Sequence, residues 1–550
     1  MPPRPRPFYY LENFHDALSW LKARYADLLV EQELAFIDAL ARMPTHSAAL
    51  LVRMIMRRGE LFRTSKLRYA EIGAPEKAAA PLVELGWIDP RPPLSLEQLC
   101  SLLRRDELQA ALSLRRRPRI PSNRSRQLAL DLNGEPPRPL EKWWCQAPDR
   151  VLRVSIAALC ERLRLMFFGN FQQDWSTFVL ADLGIQHYER VAIHDSARAF
   201  RTREHIDHFH ALYQLRERID ADEPAEDVLA AMPPAVADCP WIEARRSKLI
   251  FSLGQRLEKA GRLSDALSAY RGSAHPEARV RAVRVLERMG DFAQASALLA
   301  SIERESASEL EAQRASKMRP RLQRKLGLER YPTASQPACP SFEVLLVPDP
   351  VRSVEELVRE HLADPSAPAI YVENALINSL FGLLFWDAIF APVPGAFFHP
   401  FQSAPVDLLE ADFRARRAES FATCFAQLDS GAYRQTILEK LATKHGIQAP
   451  FVAWGLLTRE LLDLALSCIP PAHLRALFER LLADLQLNRT GLPDLIQFWP
   501  DQGRYRMIEV KAPGDRLQDN QVRWLRFCAA NGIPAQVCHV RWVTSEKVHH

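Results

Sequence analysis

No stretch of the sequence approaches the ~20 consecutive apolar residues that a membrane-spanning helix needs, so a helical membrane protein is not expected. The nine cysteines are scattered and include no CxxC pair. That spacing excludes a zinc ribbon, and an odd count argues for reduced thiols over a disulfide framework. After Met1-Pro2-Pro3-Arg4-Pro5-Arg6 come Phe8, Tyr9 and Tyr10 in place of an apolar signal core, so the expectation is a cytoplasmic protein without a membrane partner. Charge of one sign is also scarce: the net value is +5 over 550 residues, too small to name a partner. The remaining composition, 47% hydrophobic and 25% charged, is that of globular domains. The length exceeds one ordinary core and predicts several domains.

Locally, charge is uneven. Between Ser101 and Arg126 stand eight arginines, among them Arg115, Arg116, Arg117 and Arg119, against Asp106 and Glu107 alone. Such a run can neutralise phosphates and release counterions; a solvated linker has the same composition. Ahead of it, Ala17, Leu18, Leu21, Tyr25, Leu28 and Leu29 recur at helical spacing, and Ala49 to Met56 is a second apolar segment. From Arg63 to Trp87 the pattern predicts a short helix, a break at Gly73-Ala74-Pro75 and a helix ending at Gly86. Ser95 is placed to cap a helix that starts at Leu96.

Residues 115–142 read as a linker or long loop, and helices dominate from about Arg150. Met166-Phe167-Phe168 and Trp175 form an aromatic cluster of the core type. His205 and His208 share a helix face at i, i+3 near His210, but no further ligand set accompanies them at metal-site spacing. Leu257 to Ala266 is echoed by Leu286 to Ala295, 29 residues later. Each copy is a helix, a Gly-containing turn and a helix, as in tetratricopeptide-type hairpins, although their usual period is ~34. Pro, Ser and Ala accumulate from Tyr331 to Pro340 and mark a boundary.

Helical periodicity runs from Val351 to Leu487, then changes. Asp494 leads into the apolar run Leu495 to Trp499; Pro500-Asp501-Gln502-Gly503 is a turn; Tyr505 to Lys511 reads as a strand. The two runs predict a hairpin in which Met507, Glu509 and Lys511 share one face. Acids near a sheet core need a partner or a metal, because an unpaired buried charge is costly. Clustered carboxylates that hold Mg²⁺ activate water and stabilise a leaving oxygen in phosphodiester hydrolysis. A neighbouring lysine can orient that water or stabilise charge on the phosphate. A surface Glu–Lys pair on an edge strand is the alternative for Glu509 and Lys511 taken alone.

The wider pattern resembles a known family. Pro493-Asp494 and Glu509-Val510-Lys511, 15 residues on, resemble the PD-(D/E)xK nuclease superfamily. With Gly491-Leu492, Ala512 to Leu517 and Gln521 to Leu525, the match narrows to the VRR-type nuclease domain of the Fanconi-associated nuclease family. Glu373-Asn374 followed by Leu380-Phe381-Gly382-Leu383-Leu384-Phe385-Trp386-Asp387 is similar to an upstream segment of that family. The resemblance implies a mostly α-helical, multidomain chain with a C-terminal α/β nuclease core, a mixed sheet flanked by helices. It implies Glu373 from a helix, Asp494 from the first hairpin strand and Glu509 from the second as ligands of Mg²⁺ or Mn²⁺, with the Val510 carbonyl. Lys511 would be the base or charge stabiliser. Gln521 is either a supporting site residue or a helix-terminal hydrogen bonder; Arg489 and Arg516 are either phosphate contacts or surface arginines. Phe381, Leu384 and Trp386 read as core.

Ser65 to Ile72, with the helices after Leu94, resembles the family's SAP-type DNA-binding region, and the 29-residue repeat stands where the family has TPR-like helices. The expected domains are 1–64 (helical), 65–145 (SAP-like with basic linker), 146–335 (TPR-like) and 336–550 (nuclease). The cysteine and histidine spacing of a ubiquitin-binding zinc finger is absent, which implies a compact bacterial form, expected to be monomeric. The implied activity is 5′-flap endonuclease and 5′→3′ exonuclease on branched DNA, in interstrand crosslink repair. A Holliday-junction resolvase and a non-catalytic DNA-binding repeat scaffold are the competing readings.

Overall fold

The computed structural model describes residues 7–112, 135–194, 197–306, 308–328 and 339–543. Arg115, Arg116, Arg117 and Arg119 lie outside the described residues. The chain folds as two compact units, residues 1–187 with 194–206, and residues 188–193 with 207–550.

The first unit begins with helices α1 (Tyr9–Tyr25), α2 (Glu31–Ala41) and α3 (Thr45–Ile55). Their buried stripes carry Phe14, Leu18, Leu21, Phe36 and Leu50 at helical spacing. Two expectations change here. The segment at Arg63 is strand β1 (Leu61–Arg63) and a 3-10 turn, Thr64–Lys66, in place of a short helix. Helices do not begin at Arg150; strand β3 (Val151–Val154) comes first and pairs antiparallel with β1 and with β2 (Ile88–Asp89). Charge fixes the extended conformation. The Arg63 guanidinium is buried and donates to Glu107 at 2.6 and 2.8 Å and to Asp149 at 3.1 Å. Arg63 holds the Glu107 carboxyl well down, at about 2. The helix α4 (Pro75–Glu84) and the helices α5 (Leu96–Leu102) and α6 (Arg105–Ala111) stand where the periodicity puts them. Ser95 caps α5, its hydroxyl accepting from Gln98 N at 3.2 Å. After β3, helix α7 (Ala157–Phe168) carries Met166, Phe167 and Phe168 into a cluster with the fully buried Trp175.

The second unit contains the repeats. Helices α8 (Pro240–Lys259) and α9 (Leu263–Arg271) form one hairpin, α10 (Ala278–Met289) and α11 (Phe292–Arg304) the next, and α12 (Glu309–Lys325) follows. Gly261 and Gly290 close equivalent turns at φ +79° and +82°, a conformation that glycine adopts without a Cβ penalty. Between the hairpins sits the buried carboxylate of Glu258, which accepts from the Tyr270 hydroxyl at 2.9 Å and faces Arg281, Arg284 and Arg288 at 3.2–3.3 Å.

The rest of the unit is a sheet of five strands in the order β4-β8-β7-β6-β5. The strands are β4 (Ser341–Leu346), β5 (Ala369–Tyr371), β6 (Leu495–Trp499), β7 (Arg504–Lys511) and β8 (Ala535–Trp542). β4 and β7 run parallel to β8; β5, β6 and β7 are antiparallel neighbours. Helix α13 (Val354–Leu362) covers one face, over Leu495, Ile508 and Val510. The other face bears Ile496, Phe498 and Met507, which join a large core with helices α14 (Leu376–Leu384), α15 (Ala418–Ser430), α16 (Tyr433–Lys444), α17 (Arg459–Cys468), α18 (Pro471–Ala483) and α19 (Asp519–Ala530). The fold is thus the expected mostly helical chain with a mixed α/β core. Phe381, Leu384 and Trp386 are buried in it. No single helix among the described residues is long and apolar enough to cross a membrane.

Candidate active site

The hairpin places the acids. β6 and β7 pair with Leu495 opposite Ile508, and one step further along that register sets Asp494 beside Glu509. Side chains alternate, so both acids and Lys511 lie on the face shared by Ile496 and Met507. All three are buried: Asp494 is 7%, Glu509 0% and Lys511 8% exposed. The Val510 amide donates to Asp494 Oδ2 at 2.8 Å. Lys511 Nζ lies 2.7 Å from Glu509 Oε1. That contact is an ion pair, and Glu509 Oε2 has no partner of its own.

Glu373 reaches the site from an exposed turn between β5 and α14, one turn ahead of the helix and not within it. The backbone brings it there: Val372 N donates to the Asp494 carbonyl at 2.8 Å. Its carboxylate is held by the Tyr371 hydroxyl and by Asn374 Nδ2 at 3.2 Å. Asn374 itself has φ +49°, and its Oδ1 accepts from Leu492 N at 3.1 Å. The turn before Asp494 therefore locks onto the turn that carries Glu373. Gly491 lets the start of α19 pack closely on the same turn. Its φ is +93°, and a Cβ there would stand 2.7 Å from the Asn520 backbone carbon.

Electrostatics show acids gathered in a low-dielectric place. Burial pushes the Asp494 carboxyl up to about 6, opposed by the Val510 amide and Lys511 and reinforced by the charges of Glu373 and Glu355. Burial pushes Glu509 up to about 7, with Asp494 adding to the rise. Glu355, in the first turn of α13, is an acid that no motif singled out; only the folded packing of α13 on the sheet brings its charge to Asp494.

Among the described residues no three acidic, histidine or cysteine side chains already converge on a single metal position. The donor set nevertheless suits a hard divalent cation. It offers carboxylate oxygens from three chain segments, and Oε2 of the fully buried Glu509 has no hydrogen-bond partner.

The supporting residues are placed differently. Gln521 Oε1 accepts from Gln518 N at 2.8 Å, so its side chain caps α19, which is the second of its two readings. Arg489 donates to the Pro450 carbonyl at 3.1 Å and lies over the Phe451 ring. Arg516 is exposed.

Comparison with known proteins places these features. The VRR-NUC domain model matches residues 428–542, which include Asp494, Glu509 and Lys511 but not Glu373. The model for the Fanconi anemia-associated nuclease SAP domain matches residues 93–143, and that for the FAN1 HTH domain matches residues 8–89. The chain is 51% identical over 546 residues to a Fanconi-associated nuclease 1 homolog of Pseudomonas aeruginosa, covering 98% of this chain and 97% of the relative. It is 24% identical to the Arabidopsis thaliana homolog, covering 98% of this chain and 67% of that one. It is also similar to the crystal structure of paFAN1 bound to 5′-flap DNA with a gap, at TM-score 0.96 and 51% identity, over 99% of this chain and 100% of the other.

Proposed function

Because the chain belongs to the Fanconi-associated nuclease family and is a nuclease with a VRR-NUC domain, we propose that it is a structure-specific 5′-flap endonuclease. In this reading it also has 5′→3′ exonuclease activity and acts in interstrand crosslink repair. The observation that carries the catalytic part is Glu509, fully buried with Oε2 unpartnered, beside Asp494 and the Lys511 ammonium. Lys511 offsets only part of the negative charge gathered by Glu373, Asp494 and Glu509, and buried like charges are costly unless a further cation joins them. The flap specificity rests on the likeness to paFAN1, which was crystallised with 5′-flap DNA.

Glu373, Asp494, Glu509 and the Val510 carbonyl would hold one or two Mg²⁺ or Mn²⁺ ions, which when bound lower the pKa of the attacking water and neutralise charge on the phosphate. The chain's own residues do the rest. The Val510 amide fixes the Asp494 carboxylate. Lys511 Nζ, 2.7 Å from Glu509 Oε1, is held where it can donate to the attacking water or to a phosphoryl oxygen. The opposite face of the sheet is an apolar core containing Ile508 and Val510, a low-dielectric surrounding that strengthens each of these interactions. Arg516, the arginines Arg115, Arg116, Arg117 and Arg119 and the SAP-matched region supply phosphate contacts.

The test offers purified protein, with Mg²⁺ or Mn²⁺, end-labelled 5′-flap, 3′-flap and four-way DNA. Incision near the 5′-flap junction followed by stepwise shortening from the 5′ side is expected. Preferential cutting of four-way DNA would favour the resolvase reading, and binding without cleavage the scaffold.

A further inference from the structure

Beside the turn that carries Glu373 lies a cavity of about 360 Å³, within the size range of small-ligand clefts, ~300–1,000 Å³. Asn374, Asn378, Leu409, Phe451, Arg489 and Thr490 line it. It shares Asn374 with the catalytic turn, since that side chain also donates to Glu373 Oε1.

Its chemistry is mixed, with donors on Arg489 and Thr490 and an acceptor on Asn378. The carboxamide of Asn378 is oriented by its two donations, to the Asn374 carbonyl at 2.6 Å and to the Arg489 carbonyl at 2.9 Å. Its Oδ1 is buried and receives no hydrogen bond. The unmet need is therefore for a donor, and a phosphodiester offers only acceptors. A nucleobase carries N–H donors on its edge. The remaining walls fit a flat, partly apolar group: the Arg489 guanidinium sits 5.3 Å from the Phe451 ring centroid, and Leu409 is 53% exposed at the rim. Guanidinium planes and apolar side chains are the surfaces on which unstacked bases rest.

We propose that this cavity is a subsite for one unpaired nucleobase of the strand being cut, next to the scissile phosphate. The proposal rests on the flap-nuclease reading for its substrate and on the cavity for its chemistry. Seating a base there fixes the adjacent phosphate relative to Glu373 through Asn374, so the subsite selects strands that can unstack a nucleotide beside the cut.

The experiment places an abasic residue at each position around the incision site of a 5′ flap and measures single-turnover cleavage. One position should slow the wild-type protein about tenfold or more, whereas L409W, which fills the rim from an exposed position, and R489A should cut the intact flap more slowly and lose that positional penalty. Equal rates at all positions, or a penalty unchanged in both variants, would overturn the proposal. If the wild-type protein cuts no DNA, the function reading fails and the cavity is judged separately. Fluorescence of 2-aminopurine in the bound strand then decides: a change at one position that L409W removes supports the subsite, and no change at any position rejects it.

Discussion

Replacing Asp494 by Asn should stabilise the protein in the absence of divalent cations while abolishing cleavage. The magnitude follows from burial. In the folded chain the Asp494 carboxyl is raised from 3.8 to about 6, so near neutral pH its charge costs about 3 kcal/mol relative to the unfolded chain. The folded protein binds this proton more tightly than the unfolded chain. Stability is therefore greatest below the unfolded value of 3.8 and is lost as pH rises through about 6. Glu509, raised from 4.5 to about 7, acts in the same direction and carries the loss further upward in pH. The Asn side chain keeps the bond from the Val510 amide and removes the charge. Asp494→Asn should accordingly gain up to about 3 kcal/mol at pH ~8, about half of that at pH ~5, and show a flatter pH dependence. Urea unfolding of both proteins in EDTA at these two pH values reads this directly. Mg²⁺ or Mn²⁺ should raise the wild-type midpoint, more at high pH, and leave the variant unmoved. A variant less stable than the wild type at pH ~8, or one with the same pH slope, would refute the reasoning.

Two further outcomes follow from the packing. Gly491→Ala brings a Cβ to 2.7 Å from the Asn520 backbone at φ +93°; a loss of about 1–3 kcal/mol is expected, with cleavage falling alongside, both read from unfolding curves and a flap assay. Glu258→Ala leaves the buried Tyr270 hydroxyl without its acceptor, while Arg281, Arg284 and Arg288 stay partly hydrated; a loss of about 1–3 kcal/mol in thermal or urea unfolding is expected, with the active-site pH dependence unchanged.

The hairpin was legible because its signals are local: alternation from Tyr505 to Lys511, a turn at Pro500 to Gly503, and a spacing that puts Asp494 beside Glu509. The repeats were legible for the same reason, through the turns at Gly261 and Gly290. Strands β1, β2 and β5 have only three, two and three residues and carry no periodicity to read; partners far along the chain define them. β4 is parallel to β8 across nearly two hundred residues of sequence, a pairing no local pattern reveals. β8 is buried on both faces, with Ala535 and Val537 in one core and Cys538 and Val540 in the other, so it too shows no clean alternation. Glu373 was legible only through resemblance, because its place depends on Val372 bonding the Asp494 carbonyl and on Asn374 bonding Leu492. Gln521 shows the converse limit: capping and catalysis use the same amide, and only the bond to Gln518 N decides between them. The cavity beside Asn374 draws its walls from four separate segments and has no sequence signature.

The central claim is that Asp494, Glu509 and Lys511 form the hydrolytic centre of a flap nuclease. It is tested most directly by comparing wild type, Asp494→Ala and Lys511→Ala on one 5′-flap substrate, measuring cleavage and DNA binding in parallel. The account predicts metal-dependent incision by the wild type, loss of at least ~10³-fold in both variants, and flap affinity within a few-fold of the wild type. Cleavage that persists in either variant, or that proceeds in EDTA, would contradict it.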